Sequence, residues 1–316
     1  MCPMTELRAT RSDGGSLAGA LAGNEAMLDA ARDGVARMSA AVVTERAVAL
    51  GARQVAGRVL DLDACAREGV AVLRRSTTGA AAYVGGSAIV WALALPRVNA
   101  LVADATLATL LNRNLRLWLK GLVGAGAQAA YFGREWIAVQ HRAAVAIGYE
   151  VTRDGRVLIE GVAGWDTSIA LPPSITAAEE RAVDRWRSRP AVALSGCVRA
   201  GSSAATLAER VVEVTAERAG VALVWEPTRA LRDLDAVTRA DDPMPAGYTL
   251  REPVRAAIGY VEGAVGDGGP WLGGDVLAPT WWLDDAARAL AEGREVPEGG
   301  VLEGARVDDL MRALGV

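Results

Sequence analysis

The chain has 316 residues, of which 51% are hydrophobic, 23% are charged and 5% are aromatic, and its formal net charge is −4. This length is enough for a large main domain with a smaller second one, and the composition excludes wholesale disorder and collagen-like structure. The slight negative charge predicts no general attraction to nucleic acid or to an anionic membrane surface. Because no apolar run is long enough to span a bilayer and the N-terminus has no apolar signal core, we expect a cytoplasmic protein.

Scarce residue types narrow the chemistry further. The chain has three cysteines, one histidine (His141) and one lysine (Lys120) against 33 arginines, a bias typical of a GC-rich bacterial genome. The cysteines are odd in number and lack close Cys-x-x-Cys spacing, so neither a disulfide framework nor a zinc cluster is predicted. With so few nitrogen and sulfur ligands, we expect no protein-bound transition metal.

The first third of the chain predicts one long helix followed by strands. Apolar residues at three- and four-residue spacing indicate a helix over 16–31, which Asp33 and Gly34 close. The other elements predicted here are strands at 40–52, 70–73 and 88–95, the last ending before Pro96, and a short helix at 60–68.

The middle of the chain predicts antiparallel pairing. Asp154–Gly155 is a hairpin signal between two strand-like runs, at 136–150 and 156–163. Helical patterns are predicted at 99–122, 176–186 and 202–219. Antiparallel strands with helices between them favour an α+β fold over an alternating βαβ fold.

The last part of the chain predicts a separate small domain. Residues 233–248, which include Asp241-Asp242-Pro243, are the best linker candidate. The elements predicted beyond it are strands at 254–262 and 275–278, a Gly-rich turn at 266–269, and helices at 284–292 and 306–314. We therefore expect a main domain over 1–235 and an accessory domain over 243–316.

The segment with the most functional information is the small-residue turn between two predicted strands. Paired arginines can neutralise a phosphate or a carboxylate, and amides without bulky neighbours can hold an anionic or acyl group. The residues in question are Arg74, Arg75, Ser76, Thr77, Thr78, Gly79, Ala80, Ala81, Ala82 and Tyr83. An inherited structural turn without a ligand is the alternative interpretation.

This segment resembles the signature of the lipoate-protein ligase and octanoyltransferase family, which has two arginines, then two residues of which the second is Ser or Thr, then three glycines, Ala, Val and an aromatic residue. Here Thr78 and Ala80 replace two of the glycines. The resemblance extends to Asn24-Glu25, to residues 47–54, to residues 133–136 and to the tail. It implies a class II synthetase-like core with a mixed, largely antiparallel sheet, packed helices and a small C-terminal α+β domain.

The family resemblance also implies a lysine on the strand that follows residues 133–136, in contact with the acyl carbonyl. Residues 140–148 contain no lysine. Arg142 or His141 is the candidate substitute, with a solvated strand edge as the alternative, and adjacent residues on one strand point to opposite faces. Cys197 is the candidate nucleophile if the chain uses a cysteine thioester, as one octanoyltransferase branch does; a buried structural thiol is the alternative.

Two functions remain open at this point. The resemblance implies transfer of a lipoyl or octanoyl group to a lysine of a lipoyl-type carrier domain. It would use ATP with Mg if the chain is a ligase, and no such cofactor if an acyl carrier protein supplies the group. The alternative is a non-catalytic family member, a pseudoenzyme that binds an acyl group or a carrier domain in regulation or assembly. The missing lysine favours the binder, whereas Arg74, Arg75 and the two-domain layout favour the enzyme.

Overall fold

The computed structural model describes residues 4–178, 190–227 and 242–316, which form two units built on separate sheets. Most of the helix predicted at 176–186 and most of the linker predicted at 233–248 lie outside the described residues. The predicted domain boundary, between residues 235 and 243, falls largely in the gap at 228–241 and stays a prediction.

The main unit contains a large mixed sheet. Its strands within the described ranges are β1 (Glu6–Gly15), β2 (Ala36–Leu50), β3 (Ala71–Arg74), β4 (Ala82–Leu95), β5 (Ala129–Tyr131), β6 (Trp136–Val139), β7 (Arg142–Val151), β8 (Val157–Gly164) and β9 (Ala222–Trp225). They lie in the order β5-β6-β7-β8-β4-β2-β1-β9, with β3 beside β2. β1 pairs in parallel with β2 and β9, and β3 with β2, while the other pairs are antiparallel. The predicted mixed, largely antiparallel α+β sheet is confirmed.

Helices cover both faces of this sheet. They are α1 (Leu17–Ala30), α2 (Ala56–Val59), α3 (Leu62–Glu68), α4 (Leu110–Gly124) and α5 (Ala204–Ala219). α1 packs on one face, and the Ser16 hydroxyl caps its start by accepting a hydrogen bond from the Gly19 N–H. α4 and α5 pack on the opposite face. These two helices approach closely because Gly121 has no side chain. A Cβ at this position would lie 2.8 Å from the Cα of Val211.

The small C-terminal unit has its own sheet and core, as predicted. Its elements are β10 (Thr249–Leu250), β11 (Val254–Arg255), β12 (Tyr260–Gly266), β13 (Gly269–Gly274), α6 (Thr280–Ala291) and α7 (Val307–Leu314). β12 lies in the middle and pairs antiparallel with the other three strands. Its buried core includes Leu272, Trp282 and Leu310.

Several predicted element boundaries are wrong. α4 begins at Leu110 and not at residue 99, because Thr106 and Thr109 cap each other and open a short 3-10 turn before the helix. The predicted strand at 254–262 is interrupted between β11 and β12. The predicted strand at 275–278 is not a strand, since the Asp275 carboxylate accepts hydrogen bonds from the Tyr260 N–H and the Gln54 side chain at the junction of the two units. β1, whose outer half is charged and exposed, has no predicted counterpart.

The predicted strand at 136–150 is two strands joined by a tight hairpin. Gln140 and His141 occupy the turn with φ of 51° and 62°, the left-handed values that a two-residue hairpin of this type requires. His141 therefore lies in a turn and not beside Arg142 on a strand. The prediction that these two side chains alternate across one strand is wrong.

Candidate active site

The segment from Arg74 to Tyr83 joins β3 to β4 and lies between the end of β2 and the C-terminal half of β7. Its backbone is held on both sides: the Arg75 N–H donates to the Leu50 carbonyl at 2.9 Å, and the Thr78 N–H donates to the Tyr149 carbonyl at 3.2 Å. The side chains of this turn therefore have fixed directions. We call residues 74–83 the arginine turn.

Glycines allow the close approach of these backbones. A Cβ at Gly51 would lie 1.9 Å from the Gly79 carbonyl oxygen, and a Cβ at Gly79 would lie 2.7 Å from the Ile147 carbonyl oxygen. Gly79 also has φ of 118°, a conformation that residues with a side chain rarely adopt. Gly79, the one glycine of the family signature that this chain retains, is therefore required by the backbone geometry. The turn has room for the side chains of Thr78 and Ala80, which replace the other two glycines.

Arg75 is the central cation of the arginine turn and is 1% exposed. Its Nη2 donates to the Ala80 carbonyl at 2.8 Å, while Nε and Nη1 have no hydrogen-bond partner among the described residues. Burial lowers the pKa of the guanidinium, and the nearby Glu160 carboxylate opposes this shift. Arg75 therefore carries two buried N–H donors, Nε and Nη1, that can each donate a hydrogen bond to a ligand oxygen.

A buried polar chain runs beside Arg75 toward α1. The Glu160 carboxylate, which is 0% exposed, accepts from Asn24 Nδ2 at 2.7 Å and from Thr77 Oγ1 at 2.5 Å. The side-chain oxygen of Asn24, Oδ1, in turn accepts from the Ser39 hydroxyl at 2.9 Å. These groups satisfy one another and fix Thr77 next to the arginine.

The remaining residues of the arginine turn have different roles. Arg74 donates to the backbone carbonyls of Gly51 and Gln54, so it holds the end of β2. Ser76 presents a buried hydroxyl without a hydrogen-bond partner in the described part of the chain. The Thr78 hydroxyl lies 3.1 Å from the Tyr149 carbonyl and 2.9 Å from the Ala278 carbonyl, which joins the turn to the C-terminal unit. Ala80, Ala81 and Tyr83 are buried among neighbouring side chains.

The structure separates the other sequence candidates from this turn. Arg142 begins β7, six residues before Gly148, which borders Arg75; at about 3.4 Å per residue this is a separation of about 20 Å. His141 stacks against Phe132 with ring centroids 6.5 Å apart, beyond the same end of the strand. Cys197 is 7% exposed and packs in the core beneath α4 and α5, on the opposite face of the sheet from α1.

Sequence reasoning missed the acid of the site. Glu160 is the one charged residue in β8, whose other residues are apolar or glycine and are all buried. An acid in the middle of a buried strand is costly unless its oxygens are paired, so this pattern was the available signal. Its partner Asn24 enters the sequence analysis through the family resemblance alone.

The junction with the C-terminal unit adds a second buried acid. Both Glu150 oxygens lie 3.1 Å from the Thr280 N–H at the start of α6. Burial raises the pKa of Glu150 to about 7, and the hydrogen bond from Thr280 opposes this shift. Glu150 therefore links the end of β7 to the accessory unit.

A separate cavity of about 460 Å³ lies between α1 and the β1–β2 pair. Its apolar lining includes Met27 and Met38. Arg37 at its rim pairs with Asp33, and Arg8 pairs with Glu6. The charged groups of this cavity already have partners, in contrast to Arg75.

Most of the main unit, including the arginine turn, matches a known protein family. Residues 18–214 match the family model described as the lipoyl protein ligase A/B catalytic domain, which covers more than half of the chain. The chain belongs to this family. The predicted family resemblance is confirmed, and the arginine turn, Asn24 and Glu160 all lie inside the lipoyl ligase match. A search of curated proteins finds no relative of the chain.

Solved structures of lipoate ligases share the fold. P. falciparum LipL1 in complex with lipoate has a TM-score of 0.62 at 12% identity, with 84% of this chain and 82% of that chain covered. A bipartite lipoate protein ligase from T. acidophilum, studied with its E2 lipoyl domain, has a TM-score of 0.57 at 17% identity, with 76% and 93% covered. Lipoate-protein ligase A bound with ATP has a TM-score of 0.58 at 15% identity, with 75% and 94% covered. At these identities the likeness concerns the fold.

Two features are absent from the described residues. None of the helices in those ranges is both long and apolar enough to cross a bilayer. In the same ranges, no three His, Cys, Asp or Glu side chains gather as ligands of a metal ion would.

Proposed function

We propose that this chain transfers a lipoyl or octanoyl group to a lysine of a lipoyl-type carrier domain, with the acyl carbonyl bound at the arginine turn. The observation that carries the proposal is the pair of free donors on the buried Arg75 guanidinium, Nε and Nη1. The likeness to a structure that holds lipoate and to one studied with an E2 lipoyl domain supports the choice of acyl group and acceptor. The accessory unit would begin near residue 243.

Arg75 would contribute at the step where negative charge develops. The acceptor amine attacks the acyl carbonyl carbon, so a C–N bond forms and the bond to the leaving group breaks, with its electron pair on the leaving group. The amine proton passes to the leaving group or to solvent. Donors fixed in a buried site stabilise the oxyanion of such a step, and removal of one typically costs about 100- to 1000-fold in rate.

Ser76 provides a third free donor on the same turn. It follows Arg75 in sequence, and a neutral hydroxyl of this kind is suited to a carbonyl or phosphate oxygen. These residues therefore fit either an acyl-adenylate, made with ATP and Mg, or an acyl thioester.

The second candidate is a non-catalytic binder of acyl groups or carrier domains. It is favoured by the absence of a lysine from residues 140–148 and by the distance of Arg142 from Arg75. Both functions share the acyl site and differ in whether the group is passed on.

Mass spectrometry of a lipoyl-type carrier domain separates these two functions. The purified chain is incubated with the carrier domain and either ATP, Mg and lipoate, or an octanoyl-acyl carrier protein. A mass gain on the carrier lysine with either donor supports the enzyme. No gain with either donor, together with calorimetric binding of the acyl ligand, supports the binder, and no binding at millimolar ligand contradicts both.

A further inference from the structure

The charge of the proposed acyl site is set by two buried groups of opposite sign. Glu160 accepts hydrogen bonds on both oxygens, from Asn24 and Thr77, which is the pattern of an ionised carboxylate. Arg75 supplies the cation, and both residues are at most 1% exposed. Because neither charge reaches water, each depends on the other for compensation.

The cross-strand register brings these groups together. Glu160 on β8 lies directly opposite Gly148 on β7. Gly148 has no side chain, and the position that its Cβ would take is 2.5 Å from Thr77 Oγ1 and 2.9 Å from Arg75 Nη1. The glycine therefore leaves the space in which the arginine and the hydroxyl bound to Glu160 become neighbours.

A ligand that reaches Arg75 meets a site whose charges already cancel. A free carboxylate would bring a second negative charge next to Glu160, in a region without water to screen it. A neutral carbonyl oxygen would accept from the free Nε and Nη1 of Arg75 without that repulsion. The site therefore discriminates by the charge of the acyl head group.

We infer that Glu160 selects a neutral acyl donor, a thioester, over a free fatty or lipoic acid at this site. The inference rests on the proposed function, since it assumes that the acyl group binds at the arginine turn. Glu160 acts here as a specificity-determining residue, because it biases the ligand through the charge that it places beside Arg75.

Calorimetry with a charged and a neutral ligand of the same chain length tests the inference. Octanoate and octanamide are titrated into the parent chain, into Glu160→Gln and into Glu262→Gln. The last is a control that removes a buried acid from the accessory unit. The parent should bind octanamide about tenfold or more tightly than octanoate, and Glu160→Gln should recover about tenfold or more in octanoate affinity. The control should keep the preference of the parent.

Each outcome has one meaning. A parent that binds octanoate as tightly as octanamide overturns the inference and leaves the proposed acyl site intact. A folded Glu160→Gln variant with the same preference as the parent also overturns it. If neither ligand binds the parent, the proposed function fails, and the inference fails with it. Should the variant not fold, the two titrations of the parent alone still decide.

Discussion

The two faces of the large sheet differ in what they bury. On the face covered by α4 and α5, Trp91 and Trp118 pack with ring centroids 6.3 Å apart in an apolar core. On the face covered by α1, Glu160, Asn24 and Thr77 form a polar chain that ends beside Arg75. One face therefore supplies stability through packing, whereas the other carries buried charges that cost stability and provide chemistry.

The largest expected effect falls on the apolar face. Trp118→Ala removes a fully buried indole and should lower the free energy of unfolding by about 3–5 kcal/mol, because the cavity cannot close completely. Urea unfolding measures it. Phe132→Ala, at a side chain that is 61% exposed, is the control and should change stability by about 0.5 kcal/mol or less. Equal losses in the two variants would show that the apolar face does not stabilise the fold through packing as described.

The next effect concerns the acid at the junction of the two units. The folded-state pKa of Glu150 is raised to about 7, against about 4.3 for an unperturbed glutamate, so the native state holds its proton to higher pH than the unfolded chain. Stability should therefore fall as pH rises between about 4.3 and 7, by at most about 3 kcal/mol. Glu150→Gln should flatten this part of the profile.

Urea unfolding between pH 5 and 8 measures the Glu150 contribution. Glu295→Gln, at an exposed site, serves as the matched control and should keep the slope of the parent. A Glu150→Gln profile parallel to that of the parent would show that this carboxyl does not titrate as its burial implies.

A smaller effect is expected at the buried arginine on the polar face. Arg75→Ala removes the two free donors and should weaken octanamide binding by about tenfold or more, since hydrogen bonds from a charged donor are worth about 1.5–3 kcal/mol. Calorimetry on the folded variant measures it. Retention of parental affinity would remove Arg75 from the acyl site.

Arg142→Ala should have the smallest effect, less than about twofold on the same affinity, because about 20 Å of strand separates it from Gly148 and Arg75. A loss as large as that of Arg75→Ala would return Arg142 to the candidate site as the substitute for the family lysine.

The sequence patterns predicted the elements with strong periodicity and missed features that depend on tertiary pairing. The helix at 16–31 and the hairpin at Asp154–Gly155 follow from local signals. β1 is polar over its outer half and is a strand because β2 and β9 flank it. The intrinsic strand propensity of a segment does not reveal which strands will pair with it, so β1 could not be predicted from its own residues.

The candidate site was predictable in part for the same reason. The arginine turn follows from sequence, because its residues are contiguous. Glu160 and Gly148 become site residues through cross-strand register, which no local pattern encodes. The Gln140–His141 turn was not predicted, because it has no glycine, asparagine or aspartate to signal the positive φ of its two residues.

A crystal structure of the parent chain with bound octanamide would show whether the acyl group binds at Arg75. The ligand carbonyl oxygen should lie about 3 Å from Nε or Nη1 of Arg75, with Glu160 still bound to Asn24 and Thr77. A ligand held instead in the cavity between α1 and the β1–β2 pair, or beside Arg142, with Arg75 still free of a ligand, would contradict it.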